Sequence, residues 1–262
     1  VLEIGKIMPS VLAIAAHPDD IEFIMAGTML QLARKGWELH YLNIANGCCG
    51  SMETDREETA RIRLEEARNA TKIMGAKFYE PFCDDMGIFY TPENLAKTAA
   101  IVRQANPQIL LTHAPSDYME DHQNACRLAV SAAFIKFSPN FRCDPPQEAR
   151  IGDIAVYHAQ PHGNATQTLE PIHPHIVVDC TDVIDQKREA LEQHRSQQNW
   201  LDSTQKMSSY VQSMIDNSTL VGQMKYARFA HAEGWRRHLH YGFGPANYNP
   251  LVETLGPELI RQ

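Results

Sequence analysis

Two polar clusters in this chain carry the side chains that bind metals and move protons. The first is His17-Pro18-Asp19-Asp20, with Glu22 close behind. The second runs from His113 to His122 and holds Asp117, Tyr118, Glu120 and Asp121 between its two histidines. Imidazole nitrogen and carboxylate oxygen together suit a borderline divalent ion such as zinc. Three such ligands with water in the open position make a catalytic site rather than a structural one. Each residue taken singly has a plainer role. Adjacent aspartates at a strand end can cap a helix and oppose its dipole. They can also form the magnesium pocket of a receiver-like or phosphatase site. That alternative expects a lone phosphoacceptor aspartate after a later strand, and it leaves His17 unexplained. His113 or His122 alone fits a satisfied hydrogen bond or a solvated position. The coincidence of two His/Asp clusters favours a metal centre.

The surrounding pattern says what positions them. Val11 to Ala16 is a continuous apolar run, as in a strand buried on both faces. Pro18 disfavours helix at His17, so the strand ends there. Ile21, Ile24, Met25, Thr28, Met29 and Leu32 have helical spacing, predicting one helix to about Lys35 before Gly36. The cycle repeats: a strand over 38–45, a Gly/Cys/Ser loop over 46–51, a helix over 55–74, a short strand at Phe78-Tyr79, and a helix over 92–104. A strand over 108–113 and a helix from His122 to Phe134 follow. Further strands are expected at 154–158 and 176–178, a helix from Thr181 to about Asn199, more helix to roughly Arg228, and an extended tail from Tyr241. The histidine-rich stretch 158–175 reads as a polar loop, with a lid near the site as its alternative. This alternation predicts a single α/β domain over 1–262. Its fold is a Rossmann-like, open, mostly parallel sheet with helices on both faces. Ligands bind outside the carboxyl ends of such strands, where both clusters fall.

Composition removes other classes. The 262 residues include 24 Lys+Arg and 32 Asp+Glu, a formal charge of −8, which does not suit a phosphate-coating nucleic-acid binder. At 44% hydrophobic the chain is too apolar to be disordered. No run of about 18 apolar residues spans a membrane, and the N-terminus lacks the pattern of a secretory leader. Six cysteines without a C-x-x-C pair read as free thiols, which points to a cytoplasmic location. The pair Cys48-Cys49 has no neighbouring cue for nucleophilic use and reads as structural. Tyr118, Tyr157, Trp200, Tyr210 and Trp235 read as core or interface aromatics, with stacking on a bound ligand as the alternative.

Ala16-His17-Pro18-Asp19-Asp20-Ile21-Glu22 closely resembles the signature of the PIG-L/LmbE-like zinc-dependent de-N-acetylases. Further matches follow in order along the chain: Ala26-Gly27-Thr28, Arg63 to Ala67 before Met74-Gly75, Asp117 to His122, Val178-Asp179, Lys187 to Gln197, and Ala232-Glu233-Gly234-Trp235. The resemblance implies His17, Asp20 and His122 as ligands of one zinc ion per chain, other divalent metals being possible, and Asp19 as general base. Asp19 would take a proton from the attacking water and pass it to the leaving amine. The implied substrate is a small aminosugar conjugate of N-acetylglucosaminyl type, and the implied assembly a homo-oligomer, trimer or hexamer. Asp121 and Glu22 are candidates to orient the histidines. Arg63 and Glu66, one helical turn apart, are expected at the substrate mouth or as a surface ion pair, and Tyr118 is expected to bind substrate. One position departs. Many members have His-Pro-Asp-His where this chain has Met119-Glu120-Asp121-His122, and Met119 has no proton to donate to an oxyanion. That role is expected to pass to His113 or His194. The alternatives are hydrolysis of another amide or acylated amine, or a metal- or glycan-binding protein that has lost catalysis.

Overall fold

The computed structural model describes residues 8–198 and 210–262; Trp200 and the expected helix end at Asn199 lie outside them. Among the described residues eight strands form one sheet in the order β3-β2-β1-β4-β5-β7-β6-β8. Strands β1 (Ser10–Ala15), β2 (Glu38–Asn43), β3 (Lys77–Tyr79), β4 (Ile109–Thr112) and β5 (Ala155–Ala159) are mutually parallel. Strands β6 (Ile176–Asp179), β7 (Ala232–Arg237) and β8 (Ile260–Arg261) complete it, with β7 antiparallel to β5 and β6. The expected mixed α/β, mostly parallel architecture is therefore present. β1 is wholly buried and lies between β2 and β4. Its register pairs Ile14 with Thr112, so His17 and the 113–122 segment leave the same sheet edge side by side.

Helices follow the strands as the periodicity requires. α1 (Asp20–Ile24) and α2 (Ala26–Arg34) come first, then α3 (Arg56–Met74), α4 (Pro92–Ala105) and α5 (Glu120–Ile135). Local chemistry sets their ends. Asp55 caps α3 by accepting from Glu58 N at 2.9 Å, and Thr91 caps α4 ahead of Pro92. α6 (Ile184–Leu191), α7 (Tyr210–Gly222) and α8 (Pro250–Leu259) lie in the second half. No helix among the described residues is long and apolar enough to cross a membrane.

The helix expected from Thr181 to about Asn199 is interrupted by a turn after Leu191, and the structure corrects two further sequence expectations. The first helix is not continuous: it breaks at Met25. Glu233 of β7 explains the break, because its carboxylate accepts from Gly27 N at 2.8 Å and Thr28 N at 2.7 Å. In an unbroken helix those two donors would bond Phe23 and Ile24 carbonyls. The tail from Tyr241 is not extended either, since α8 occupies part of it and buries Leu251 and Leu255 one turn apart. Its Gly256-Pro257 step disguised that helix.

Glu233 also accepts from Lys187 Nζ of α6 at 2.7 Å, and both side chains are almost wholly buried. A Cβ on Gly27 would stand 2.5 Å from Cys180 Sγ, so only glycine lets α2 approach this far. Three of the sequence matches outside the metal motifs thus meet in one buried ion pair at a helix N-terminus. Removing one partner of such a pair leaves a buried charge and costs about 3–5 kcal/mol. Lys187→Ala is expected to lower unfolding stability in urea by that amount. Arg34→Ala breaks the exposed pair with Asp182 and is expected to cost less than about 1 kcal/mol. Equal effects would contradict the assignment.

Candidate metal centre

After β1 the chain turns sharply. Asp19 stands at φ 104°, ψ −26°, in the left-handed region, which costs a non-glycine residue about 1–3 kcal/mol and is best tolerated by Asp and Asn. The turn sends two consecutive carboxylates to different surroundings. Asp20 Oδ2 accepts from His17 N at 2.7 Å. Asp19 Oδ2 pairs with the buried Arg63 of α3, 3.2 Å from Nη2. That same nitrogen donates to Pro18 O at 2.5 Å, and Nη1 donates to Gly47 O at 3.3 Å. Gly47 has φ +78°, and a Cβ there would meet Arg63 Cδ at 2.6 Å, so the loop after β2 needs glycine to let the guanidinium through.

Asp20 faces both candidate histidines. Its Oδ2 lies 3.6 Å from His17 Nδ1 and its Oδ1 lies 3.4 Å from His122 Nε2. The other nitrogen of each ring is held from behind. His17 Nε2 is 3.0 Å from Asp121 Oδ2, and His122 Nδ1 is 2.9 Å from Asp117 Oδ1. Asp121 is fixed in turn by Met86 N at 2.6 Å. Carboxylate-backed imidazoles of this kind are the usual support of metal-binding histidines. One ligand atom each from His17, Asp20 and His122 lies within 4.8 Å of the others, a set that fits a divalent ion. His113, Asp117 and His122 form a second close group. It fits less well, because His113 Nε2 accepts from Ala16 N at 3.0 Å and its ring stacks on His122 at 4.1 Å, behind the site.

The first group opens on a cavity of about 280 Å³, whose wall includes Asp19, Arg63, Tyr118, Met119, His162 and Tyr210 as well as His17, Asp20 and His122. His113, His194 and Glu66 are not on that wall. His113 is fully buried beside Asp20 Oδ2, at 3.3 Å. His194 pairs with Glu22 at 3.4 Å, and Glu22 accepts from Tyr41 Oη at 3.0 Å instead of orienting His17 or His122. Burial opposes charge on His194, but the Glu22 carboxylate outweighs it and raises its pKa. Glu66 accepts from Ser196 N and Oγ, at 2.9 and 2.6 Å, and so ties α3 to the helical residues that follow the turn after α6. Tyr157 and Trp235 are buried in the core, where Tyr157 Oη donates to Asn249 Oδ1 and Trp235 Nε1 to Thr28 Oγ1.

Sequence reasoning passed over His162 and Phe23. His162 sits on a short turn of the 158–175 stretch, with its ring 5.4 Å from Phe23 and 6.0 Å from Tyr118. The stretch therefore does reach the cavity. Its one local signal was Pro161-His162-Gly163-Asn164, a turn that presents an imidazole.

Charge at the site is strongly organised. Burial disfavours a charged His17, yet Asp121 and Asp20 outweigh it and raise its pKa to about 9. His122 is likewise raised to about 10, with Asp20 and Asp117 overcoming burial. Burial works to raise Asp20, but His122 and His113 hold it well below the ordinary value. Asp19 is the opposite case. Its burial outweighs Arg63 and pushes it up to about 6. At pH 7 both metal-free imidazoles therefore carry protons that an entering ion must displace. Zinc titrated at pH 7 in buffers of different ionisation enthalpy is expected to release about two protons per ion. Affinity should rise as pH climbs toward about 9–10. A binding enthalpy independent of buffer would contradict this.

Residues 12–134, which contain both clusters and Arg63, match the family model described as PIG-L, GlcNAc-PI de-N-acetylase. The chain is similar to the diacetylchitobiose deacetylase of Thermococcus kodakarensis, 29% identical over 194 residues, 71% of this chain and 69% of that one. It is also similar to the 4-oxalmesaconate hydratase of Pseudomonas putida, 27% identical over 191 residues, 70% of this chain and 72% of that one. In fold it resembles the crystal structure of GalB, the 4-carboxy-2-hydroxymuconate hydratase of Pseudomonas putida KT2440. The TM-score is 0.73 at 23% identity, over 92% of this chain and 99% of that one. The segment that builds this centre is thus similar to the PIG-L family.

Proposed function

We propose that this protein is a metal-dependent hydrolase that removes an N-acetyl group from a small aminosugar conjugate. The observation that carries the reading is a division of labour. His17, Asp20 and His122 converge on one point, while the neighbouring Asp19 faces the same cavity and is free of them. The similarity to a diacetylchitobiose deacetylase supports the substrate class. His17, Asp20 and His122 would hold a zinc ion, which would supply Lewis acidity to a water and to a carbonyl.

The chain's own residues do the rest. Asp19, raised to about 6, is ionised at neutral pH and basic enough to take a proton from water. It then holds that proton where a departing amine can receive it. Arg63 keeps its carboxylate aimed at the cavity. Phe23 and Ile24 give the wall an apolar strip for a methyl group, and the exposed Tyr118 gives a ring for a sugar. Met119 leaves the family's oxyanion position without a donor. His162 is the imidazole on the wall that is not committed to the ligand set. Burial lowers its pKa and favours a neutral ring, whose N–H can stabilise the oxyanion.

A second reading is hydration of a carbon–carbon double bond. It is favoured by the hydratase relative and by the same missing donor at Met119. It shares the activated water and differs in the bond attacked.

The test is acetate release from N-acetylglucosamine, diacetylchitobiose and N-acetylglucosaminyl conjugates by zinc-loaded protein, beside loss of absorbance from 4-oxalmesaconate. Acetate release is expected. Turnover of the unsaturated acid without acetate would replace the first reading with the second. Asp19→Asn suits the left-handed backbone and is expected to lower kcat by about a hundred- to ten-thousandfold with zinc content unchanged. His162→Ala should lower it by about a hundred- to a thousandfold. Activity should rise with pH along an acid limb at or below pH 6, since the base works only when deprotonated and a nearby cation pulls its pKa down. Full activity in Asp19→Asn would remove the base from the reaction.

A further inference from the structure

The loop between β2 and α3 presents two adjacent thiols that the hydrolytic reading does not use. Cys48 and Cys49 are both free, with their sulfurs 3.9 Å apart. Asp85, from the segment after β3, comes up beside them. Its two carboxylate oxygens accept from Gly47 N at 2.7 Å and Cys49 N at 2.9 Å, which fixes it in place. One ligand atom from each of the three residues lies within 4.8 Å of the others. Two sulfurs bound about 2.3 Å from a tetrahedral ion stand about 3.8 Å apart. The observed spacing is therefore that of a chelating pair, far from the bond length of about 2.05 Å in a disulfide.

We infer that Cys48, Cys49 and Asp85 form a second cation site, selective for soft, thiolate-seeking divalent ions and separate from the histidine centre. Two thiolates and one carboxylate oxygen make the donor set, and soft ions prefer it while magnesium and calcium do not. Binding is an exchange without redox change. Two S–H protons leave to solvent and two sulfur–metal bonds form. Burial raises the Cys48 thiol to about 11, so an ion must have high thiolate affinity to displace its proton. Cys49 and Asp85 line the same cavity as Asp19 and His122. An ion held there adds charge to that shared space.

Cadmium is the probe. It is titrated into reduced protein whose histidine centre has first been filled with zinc. The ultraviolet sulfur-to-cadmium charge-transfer band is followed, and bound ions are counted by native mass spectrometry. One cadmium per chain is expected at saturation, with the band abolished in Cys48→Ser and in Cys49→Ser. The band should persist in Cys83→Ser, whose thiol bonds Asn94 instead, and in His17→Ala, which spoils the other centre. No band in the parent, or an unchanged band in both Cys48→Ser and Cys49→Ser, would overturn the site. So would cadmium that binds the parent without the band and no longer binds His17→Ala, which would assign it to the histidines. Cys49→Ser changes an exposed residue and keeps the test valid should Cys48→Ser fail to fold. The outcome does not depend on any hydrolytic activity.

Discussion

The backbone at Asp19 is the constraint on which the rest depends. A left-handed residue between Pro18 and α1 separates two carboxylates that a regular strand-to-helix turn would leave in similar surroundings. Asp20 turns toward imidazoles and stays ionised, while Asp19 turns into a buried pocket with one guanidinium and has a raised pKa. Several contacts hold the strained turn. Arg63 grips the Pro18 carbonyl, Asn43 Nδ2 donates to His17 O at 2.6 Å, and Phe23 N donates to Asp19 O at 3.0 Å. These bonds come from β2, α1 and α3, so the conformation is imposed by the sheet edge and the helices packed on it. Strain of this kind persists only where the surroundings over-determine it.

Two tiers of carboxylates support that turn. Near the centre, Asp117 and Asp121 fix the outer nitrogens of His122 and His17, which decides which ring atoms face inward. Farther away, Glu233 ends α1 and starts α2 by accepting hydrogen bonds from two backbone amides, and so sets where the helix carrying Asp20 can lie. The family match stops at residue 134, yet Glu233 and Lys187 lie beyond it. The second half of the chain thus has a positioning role that the matched segment alone would not reveal. It also supplies His162 and Tyr210 to the cavity wall.

Much of this was legible in the sequence, and for identifiable reasons. Continuous apolar runs and helical spacing gave β1 to β5 and their helices, because residues buried on both faces of a parallel sheet leave a strong pattern. Pro18 and the strand ends located the two polar clusters. What escaped depended on contacts between distant segments. The break at Met25 is made by Glu233, over two hundred residues away, and no local period records it. β7, with the sequence Ala-Glu-Gly-Trp-Arg-Arg, lacks the alternation of a half-buried strand because it is inserted between β5 and β6. Glu66 lies one turn from Arg63, yet its carboxylate is taken by Ser196. His113 and His194 are the right chemical type for an oxyanion donor, but burial puts both behind the wall they would have to face.

The most direct test of the divided aspartates is an anomalous-scattering map from crystals of the zinc-loaded protein. The account predicts a peak bounded by His17 Nδ1, Asp20 and His122 Nε2 at about 2.0–2.2 Å, with the Asp19 carboxylate outside the coordination sphere. A peak ligated by Asp19, or one lying among His113, Asp117 and His122, would contradict it.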